Sequence, residues 1–263
     1  MTADAALFDP RTALARPDLA ELALEGLVRA GRYAAPQVMY GSAGVADIFD
    51  GPTPDAVRID QLLHGEIFDL LDRQGDQVWG RARRDGVVGW MAAEALSPHG
   101  SEIDRRVISV TGEWPLNALV GAGQIVAAET VPVGDFERDP VAVAERLLGV
   151  PHALGARSSV VTDCAGLVQQ ALYACGRAGP RYADQQAELG RSIDQDQAAR
   201  GDLVVWLHPA GGAGWTGHSA FMVDAARVIH ASGDRGGVVI EAFAEADARY
   251  RADGFSASVF RRL

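Results

Sequence analysis

The stretch Thr162-Asp163-Cys164-Ala165-Gly166-Leu167-Val168-Gln169-Gln170-Ala171 sets a cysteine at the start of an apolar-periodic helix, and the rest of the chain is read outward from it. Ser158, Ser159, Thr162 and Asp163 supply N-cap chemistry before the cysteine, and Leu167, Val168, Ala171 and Leu172 recur after it at helical spacing. Cys164 is therefore expected in or beside a first helical turn, delivered to solvent. Free backbone N–H groups and the positive end of the helix dipole favour a thiolate there, the form that attacks carbonyl carbon. The alternative is a small buried hydrophobe, the common state of an unpaired cysteine. Cys175, in Tyr173-Ala174-Cys175-Gly176, illustrates that alternative. It lies eleven residues on (175 − 164), roughly 16 Å along a helix, too far for a disulfide, and it reads as core near the end signalled by Gly176.

Two downstream histidines favour chemistry at Cys164. Asp202-Leu203-Val204-Val205-Trp206 and Ser219-Ala220-Phe221-Met222-Val223 read as strands, the second entered through Thr216-Gly217-His218. After a turn at Asp224-Ala225-Ala226 comes a third run, Arg227-Val228-Ile229-His230-Ala231-Ser232. A thiol peptidase needs an imidazole to take the cysteine's proton and return it to the leaving amine, and a third polar group to orient that imidazole. His218 fits the base and His230 the orienting group. Their separation of twelve residues (230 − 218) suits neighbouring strands of a hairpin.

Asp163-Cys164-Ala165-Gly166-Leu167-Val168-Gln169, Gly201-Asp202-Leu203-Val204-Val205-Trp206, Gly217-His218-Ser219-Ala220-Phe221 and Val228-Ile229-His230-Ala231-Ser232 together resemble the ordered motifs of the NlpC family of bacterial cell-wall cysteine endopeptidases. The resemblance covers roughly residues 139–263. It implies a papain-like α+β fold, with a cysteine-bearing helix packed on an antiparallel sheet. Cys164 would be the nucleophile, His218 the general base and His230 the third member. The implied substrate bond is the γ-D-glutamyl to diamino-acid link of peptidoglycan stem peptides. Asp163, Ala165, Gly217 and Ser219 would line the substrate side, with Asp163 both capping the helix and receiving a substrate ammonium. The backbone N–H of Cys164 is a candidate oxyanion donor. Two departures stand out: Ala165 replaces the family's usual serine, and Pro151-His152-Ala153-Leu154-Gly155-Ala156 replaces an aromatic-rich Gly-Gly segment. Both point to altered specificity rather than lost activity.

Composition narrows the partners. A formal net charge of −11 argues against nucleic acid and anionic membrane, and no apolar run is long enough to cross a bilayer. Two distant cysteines give neither a disulfide framework nor zinc-ligand spacing, so no metal or cofactor is expected. Met1 to Pro10 lack a basic n-region and a long apolar run; the expectation is no signal peptide and a cytoplasmic location. Oligomeric state is not legible.

Four segments are expected. Residues 1–35 read as a helical arm: Asp18 is an N-cap candidate, and positions 19, 22, 23 and 27 form an apolar stripe. Residues 36–100 read as a small barrel of five short strands, Val45–Phe49, Arg58–Leu63, Glu66–Leu71, Val78–Ala82 and Val87–Met91, separated by Gly-Pro, His-Gly and Asp-Gly turns. This part resembles a bacterial SH3-like domain in Leu63-His64-Gly65-Glu66 and Asp85-Gly86-Val87-Val88-Gly89-Trp90-Met91. Residues 101–138 read as a connector or a degenerate second SH3-like segment, with strands at 106–110 and 124–131. Asp139-Pro140 opens a helix over 141–148 that leads into the catalytic segment, 139–263. The glycine-rich run after His208 is expected to be a mobile flap. His64, His99 and His152 are expected at the surface or in turns.

Two function classes follow. One is a peptidase acting on L-Ala-γ-D-Glu-diamino acid peptides, as in recycling of wall fragments. The other is a non-hydrolytic relative: an acyl or amide transferase using the same cysteine and histidines, or a wall-peptide binding module.

Overall fold

The computed structural model describes residues 8–100, 102–112, 114–121, 130–212 and 215–263. At the N-terminus the expected helix does not form. Ala20–Glu21 (β1) pairs in parallel with Tyr33–Ala34 (β2), and only one 3-10 turn, Leu22–Leu24, lies between them. The reason is burial. A helix this short needs a buried face to hold it, yet of the proposed stripe Leu19 is fully buried while Leu22 and Leu27 stand half exposed. Leu14 and Leu19 instead pack against Trp79 and Trp90 of the next segment, and the Arg16 guanidinium sits 4.3 Å over the Trp79 ring.

Seven strands form that segment: Gln37–Gly41 (β3), Val45–Phe49 (β4), Arg58–Leu63 (β5), Ile67–Gln74 (β6), Gln77–Ala82 (β7), Val88–Ala92 (β8) and Leu96–Ser97 (β9), hydrogen-bonded in the order β5-β4-β8-β7-β6-β3-β9. The five strands expected from alternation are all present. The two that were missed, β3 and β9, pair with each other. Gly75, at φ 61°, makes the tight turn between β6 and β7. Ile48, Leu62, Phe68, Val78 and Met91 fill the interior, and Tyr182 from the C-terminal segment completes it.

Between the two domains, Arg105–Val107 (β10), Leu119–Val120 (β11) and Thr130–Pro132 (β12) form a three-stranded sheet. Most of the strand expected at 124–131 lies outside the described residues. This segment is a two-sided wedge. Its Leu119 N–H donates to His64 O of the barrel, and its Leu116 is fully buried in the core of the C-terminal domain. Asn117, at φ 68°, donates through Nδ2 to Gln170 O (2.9 Å) and Oε1 (2.7 Å).

The C-terminal domain opens with Pro140–Glu145 (α1), where Asp139 caps by accepting Val141 N–H and Pro140 stands inside the first turn. Cys164–Ala174 (α2) follows, then Ala183–Gln186 (α3). The sheet contains Arg191–Ile193 (β13), Leu203–Gly212 (β14), Trp215–Met222 (β15), Arg227–Ser232 (β16), Gly237–Ala242 (β17) and Val259–Arg262 (β18), in the order β13-β18-β14-β15-β16-β17, antiparallel throughout. Phe243–Ala252 (α4) lies between β17 and β18. Alternation sorts the strand residues between two cores. Leu203, Phe221, Ile229 and Ala231 pack with α1 and α2, while Val204, Trp206, Ala220, Met222 and Val228 pack with Phe243, Ala246 and Tyr250 of α4. Every residue of α2 is buried, so its cysteine end is rigidly placed.

The barrel is fused to the C-terminal domain by buried charge. Arg157 donates to Glu66 (2.5 Å from Nη2 to Oε2) and to Asp60 (3.0 Å), with Asp85 at 3.5 Å. Arg181 lies 2.9 Å from Asp60. All five side chains are essentially inaccessible. Burial, with the Asp85 charge beside it, pushes the Asp60 carboxyl well above its usual range; Asp60 Oδ2 has no donor among the described residues.

Candidate active site

Cys164 is the first residue of α2, and Asp163 is its cap, accepting Gly166 N–H at 2.7 Å. The sulfur is not presented to solvent as expected: Cys164 is only 4% exposed. It lies against the strand that carries His218, with Gly217 O at 3.8 Å and the Ser219 N–H directed at it. Backbone on both sides of His218 therefore touches the nucleophile candidate. Gly217 permits this closeness because its backbone is pressed against its neighbour strand: a Cβ there would stand 2.4 Å from Trp206 O.

The electrostatics also depart from expectation. Burial, then the Asp163 carboxylate, pushes the Cys164 thiol up to about 12. The helix N-terminus and the Ser219 N–H pull the other way, but desolvation outweighs them in this closed site. The resting group is a thiol and needs a base at the moment of attack. His218 is held well below its ordinary value by burial, then by His230, His152 and Arg249, so its ring is neutral and ready to accept a proton.

The two expected histidines do meet. His218 Nε2 lies 2.6 Å from His230 Nδ1, with the rings nearly perpendicular. That contact uses the far nitrogen of His218 and leaves Nδ1 as the one available to the sulfur. Both residues stand at even positions of their strands, on the α4 face, and α4 supplies Tyr250. Its ring stacks on His218 at 4.3 Å and its hydroxyl lies 3.0 Å from His218 Nε2 and 3.3 Å from His230 Nδ1.

Sequence reasoning missed several neighbours. Tyr250 and Glu241 sit on elements not tied to any motif; His230 Nε2 lies 2.7 Å from Glu241 Oε1. His152 is partly buried within electrostatic reach of His218, His230 and Asp163, and burial lowers its own pKa. A bridge to Thr162, two residues before the cysteine, brings His152 there, and no local sequence signal marks that pairing.

The remaining candidates have defined places. Asp163 has its acceptor positions filled: Oδ1 takes Gly166 N and Arg181 Nη1, Oδ2 takes Gly155 N and Arg181 Nη2. A carboxylate 3% exposed and neutralised by a guanidinium does not stand open to an ammonium ion, so the structure presents it as cap and ion-pair partner. Ala165 is buried, and its carbonyl accepts from Gln186 Nε2. Ser219 is buried too, with no partner for its hydroxyl among the described residues. The expected flap is a hairpin arm: His208 to Gly212 belong to β14, and Gly212 pairs with Trp215 after a register shift, residues 213 and 214 lying outside the described residues. His208, Trp215 and Phe255 cluster at its base.

A cysteine at a helix tip, set against the strand of an antiparallel sheet that carries one of two paired histidines, is the papain-like α+β arrangement. Residues 149–255 match the NlpC/P60 family, and residues 48–96 match the bacterial dipeptidyl-peptidase Sh3 domain. Residues 149–255 are thus an NlpC/P60 domain, with an SH3-like domain before it. Among curated relatives, the gamma-D-glutamyl-L-lysine dipeptidyl-peptidase of Bacillus subtilis is 25% identical over 122 residues, covering 45% of this chain and 41% of its own length. The peptidoglycan endopeptidase RipB of Mycobacterium tuberculosis is 28% identical over 139 residues, covering 48% and 54%. The chain therefore spans about half the length of the curated relatives it matches. A crystal structure of an NlpC/P60 family protein from Bacillus cereus superposes with a TM-score of 0.72 at 16% identity, covering 86% of this chain and 99% of that one, a likeness of fold.

Proposed function

We propose that this protein is a cysteine endopeptidase that hydrolyses the γ-D-glutamyl to diamino-acid bond of peptidoglycan stem peptides, with Cys164 as nucleophile, His218 as general base and His230 as the orienting third member. The observation that carries this reading is the contact of the Cys164 sulfur with Gly217 O, beside a His218 whose other face is held by His230. A thiol raised to about 12 cannot attack as it rests. His218 Nδ1 takes the proton as sulfur closes on the γ-carbonyl of D-glutamate, and the carbonyl electrons move to oxygen. As the first residue of α2, Cys164 offers a backbone N–H with no carbonyl a turn behind it, suited to that oxyanion. Collapse breaks the C–N bond, and the imidazolium returns its proton to the departing amine. Water, activated by the same His218, then hydrolyses the thioester.

The bond assignment draws on the named activity of the Bacillus subtilis relative. The SH3-like barrel is fixed against the loop that precedes α2 by Arg157 and Arg181, so it bounds one side of the site and suits short peptides over polymeric wall. We place the activity in cytoplasmic recycling of such peptides; among the described residues no helix is long and apolar enough to cross a membrane. With Asp163 filled by Arg181, Asp163 supplies no selection for a free L-alanine amine. The test is a substrate panel, L-Ala-γ-D-Glu-diaminopimelate with free and with acetylated amine, and purified sacculi. Release of the diamino acid from the tripeptides and not from sacculi is expected. An amine-dependent transfer product in place of hydrolysis, or no turnover of any tripeptide, overturns the reading.

A further inference from the structure

We propose that Glu241 is a positioning residue whose carboxylate sets the proton arrangement of both imidazoles and so leaves a lone pair facing the Cys164 thiol. The inference rests on the catalytic roles assigned above and extends them outward by one residue.

The geometry forces an order. Glu241 on β17 is one strand away from His230, and its Oε1 lies 2.7 Å from His230 Nε2, approaching off the N–H axis of the ring. The carboxylate is 8% exposed and anionic: its pKa is lowered first by His230 and then by Arg249, which donates to Oε1 at 2.5 Å and to Oε2 at 3.1 Å, and by Arg235 at 3.1 Å. The approach is too oblique for a formed hydrogen bond, but an anionic carboxylate at 2.7 Å only accepts and repels a facing lone pair, so we place the proton of His230 on Nε2. A neutral His230 then has a bare Nδ1. The contact of 2.6 Å to His218 Nε2 therefore requires the proton on His218 Nε2, which leaves His218 Nδ1 bare. That nitrogen is the one not engaged by His230 or Tyr250. Without the carboxylate, the opposite arrangement is equally available, and in it His218 presents an N–H to the sulfur and cannot act as base.

The surroundings support a built device. Arg249, one turn into α4 from its neighbour Glu245, also lies 3.1 Å from Asp234 and stacks 5.0 Å over Tyr250, so one guanidinium holds the carboxylate and the aromatic ring that covers His218. The charged and titratable groups facing the pair are accordingly Asp234 and Arg235 from the β16–β17 turn, Arg249 and Tyr250 from α4, His218 from β15 and His152 ahead of α2.

The first readout needs no variant. ¹⁵N spectra of the histidine rings in the wild-type protein at pH 7 should show His218 and His230 both protonated on Nε2. Glu241→Gln should give mixed tautomers, slow alkylation of Cys164 by iodoacetamide about tenfold in a Cys175→Ser background, and lower kcat at least tenfold with KM little changed, while Glu241→Asp restores part of each. His230 protonated on Nδ1 in the wild type, or Glu241→Gln within about twofold of wild type in alkylation and kcat, overturns the proposal. Cleavage that survives Cys164→Ala would remove the functional reading but leave the tautomer result standing, so the two failures are distinguishable.

Discussion

Arg181 grips Asp163 fork to fork, Nη1 to Oδ1 at 3.0 Å and Nη2 to Oδ2 at 2.6 Å, with both side chains almost inaccessible. The carboxylate that caps the cysteine helix is thereby tied to Asp60 of the barrel through one guanidinium. Such pairs are costly to break because the survivor is left charged and dry. Arg181→Ala should destabilise the protein by about 3–5 kcal/mol and should lower kcat further than the stability loss explains, because the N-terminus of α2 loses its anchor. Arg181→Lys, which keeps the charge but not the fork, should fall between the two. Thermal melts and steady-state kinetics on the three proteins check this.

A second expectation concerns the interdomain charge cluster. Arg157→Met takes from Glu66 and Asp60 the one cation they share, leaving Arg84 beside Glu66 and Arg181 beside Asp60, and should cost about 3 kcal/mol, lowering Tm by roughly 10 °C in a chain of this size. Barrel and catalytic domain should melt together. Arg227→Ala, which removes an exposed pair with Asp224, is the control and should leave the melt unmoved. Separate transitions in the wild type would contradict the fused interface.

Gly166 provides a steric test of how tightly the nucleophile is placed. A Cβ on Gly166 would stand 2.3 Å from Ala156 O and 2.9 Å from Arg157 Cα, both backbone. Gly166→Ala must displace either α2 or the 155–157 loop. The expected stability loss is about 1–3 kcal/mol, accompanied by a fall in kcat of about 10²-fold from the misplaced sulfur. Kinetics at a temperature well below the melt separates the two effects.

The pH profile follows from His218. Because burial and neighbouring charge depress its pKa, the base form persists below pH 6.5, and kcat/KM should hold until the pH falls through that lowered value. The sign is definite: protonating His218 removes the base, so activity is lost on the acid side. Alkylation of Cys164 should rise toward alkaline pH, following a thiol near 12. An acid limb centred above pH 6.5 would contradict the buried-neutral assignment.

Much of this was legible before coordinates. Helix α2 and its cap could be read because Asp163, Cys164 and the Leu167, Val168, Ala171 stripe are local signals, and the barrel strands because short runs that alternate or cluster stand between Gly-Pro, His-Gly and Asp-Gly turns. The N-terminal segment misled because its Ala, Leu and Glu content favours a helix while the burial that decides the matter comes from Trp79 and Trp90, far along the chain. Arg157 and Arg181 carry no local sequence signal; only the approach of Asp60, Glu66 and Asp85 gives them their role. The same holds for Glu241 and Tyr250, whose part in the site depends on β17 and α4 folding back beside His230. The state of the sulfur was misjudged because helix-end electrostatics is local, whereas desolvation is a property of the whole packed site.

The most direct measurement is mass spectrometry of L-Ala-γ-D-Glu-diaminopimelate incubated with the wild-type protein, with Cys164→Ala and with His218→Ala, each variant first shown to melt like the wild type. Of these three, only the wild type is expected to release L-Ala-γ-D-Glu and free diaminopimelate, and His230→Ala run beside them should retain a fraction of the rate. Cleavage of the same bond by the Cys164→Ala protein would contradict the account.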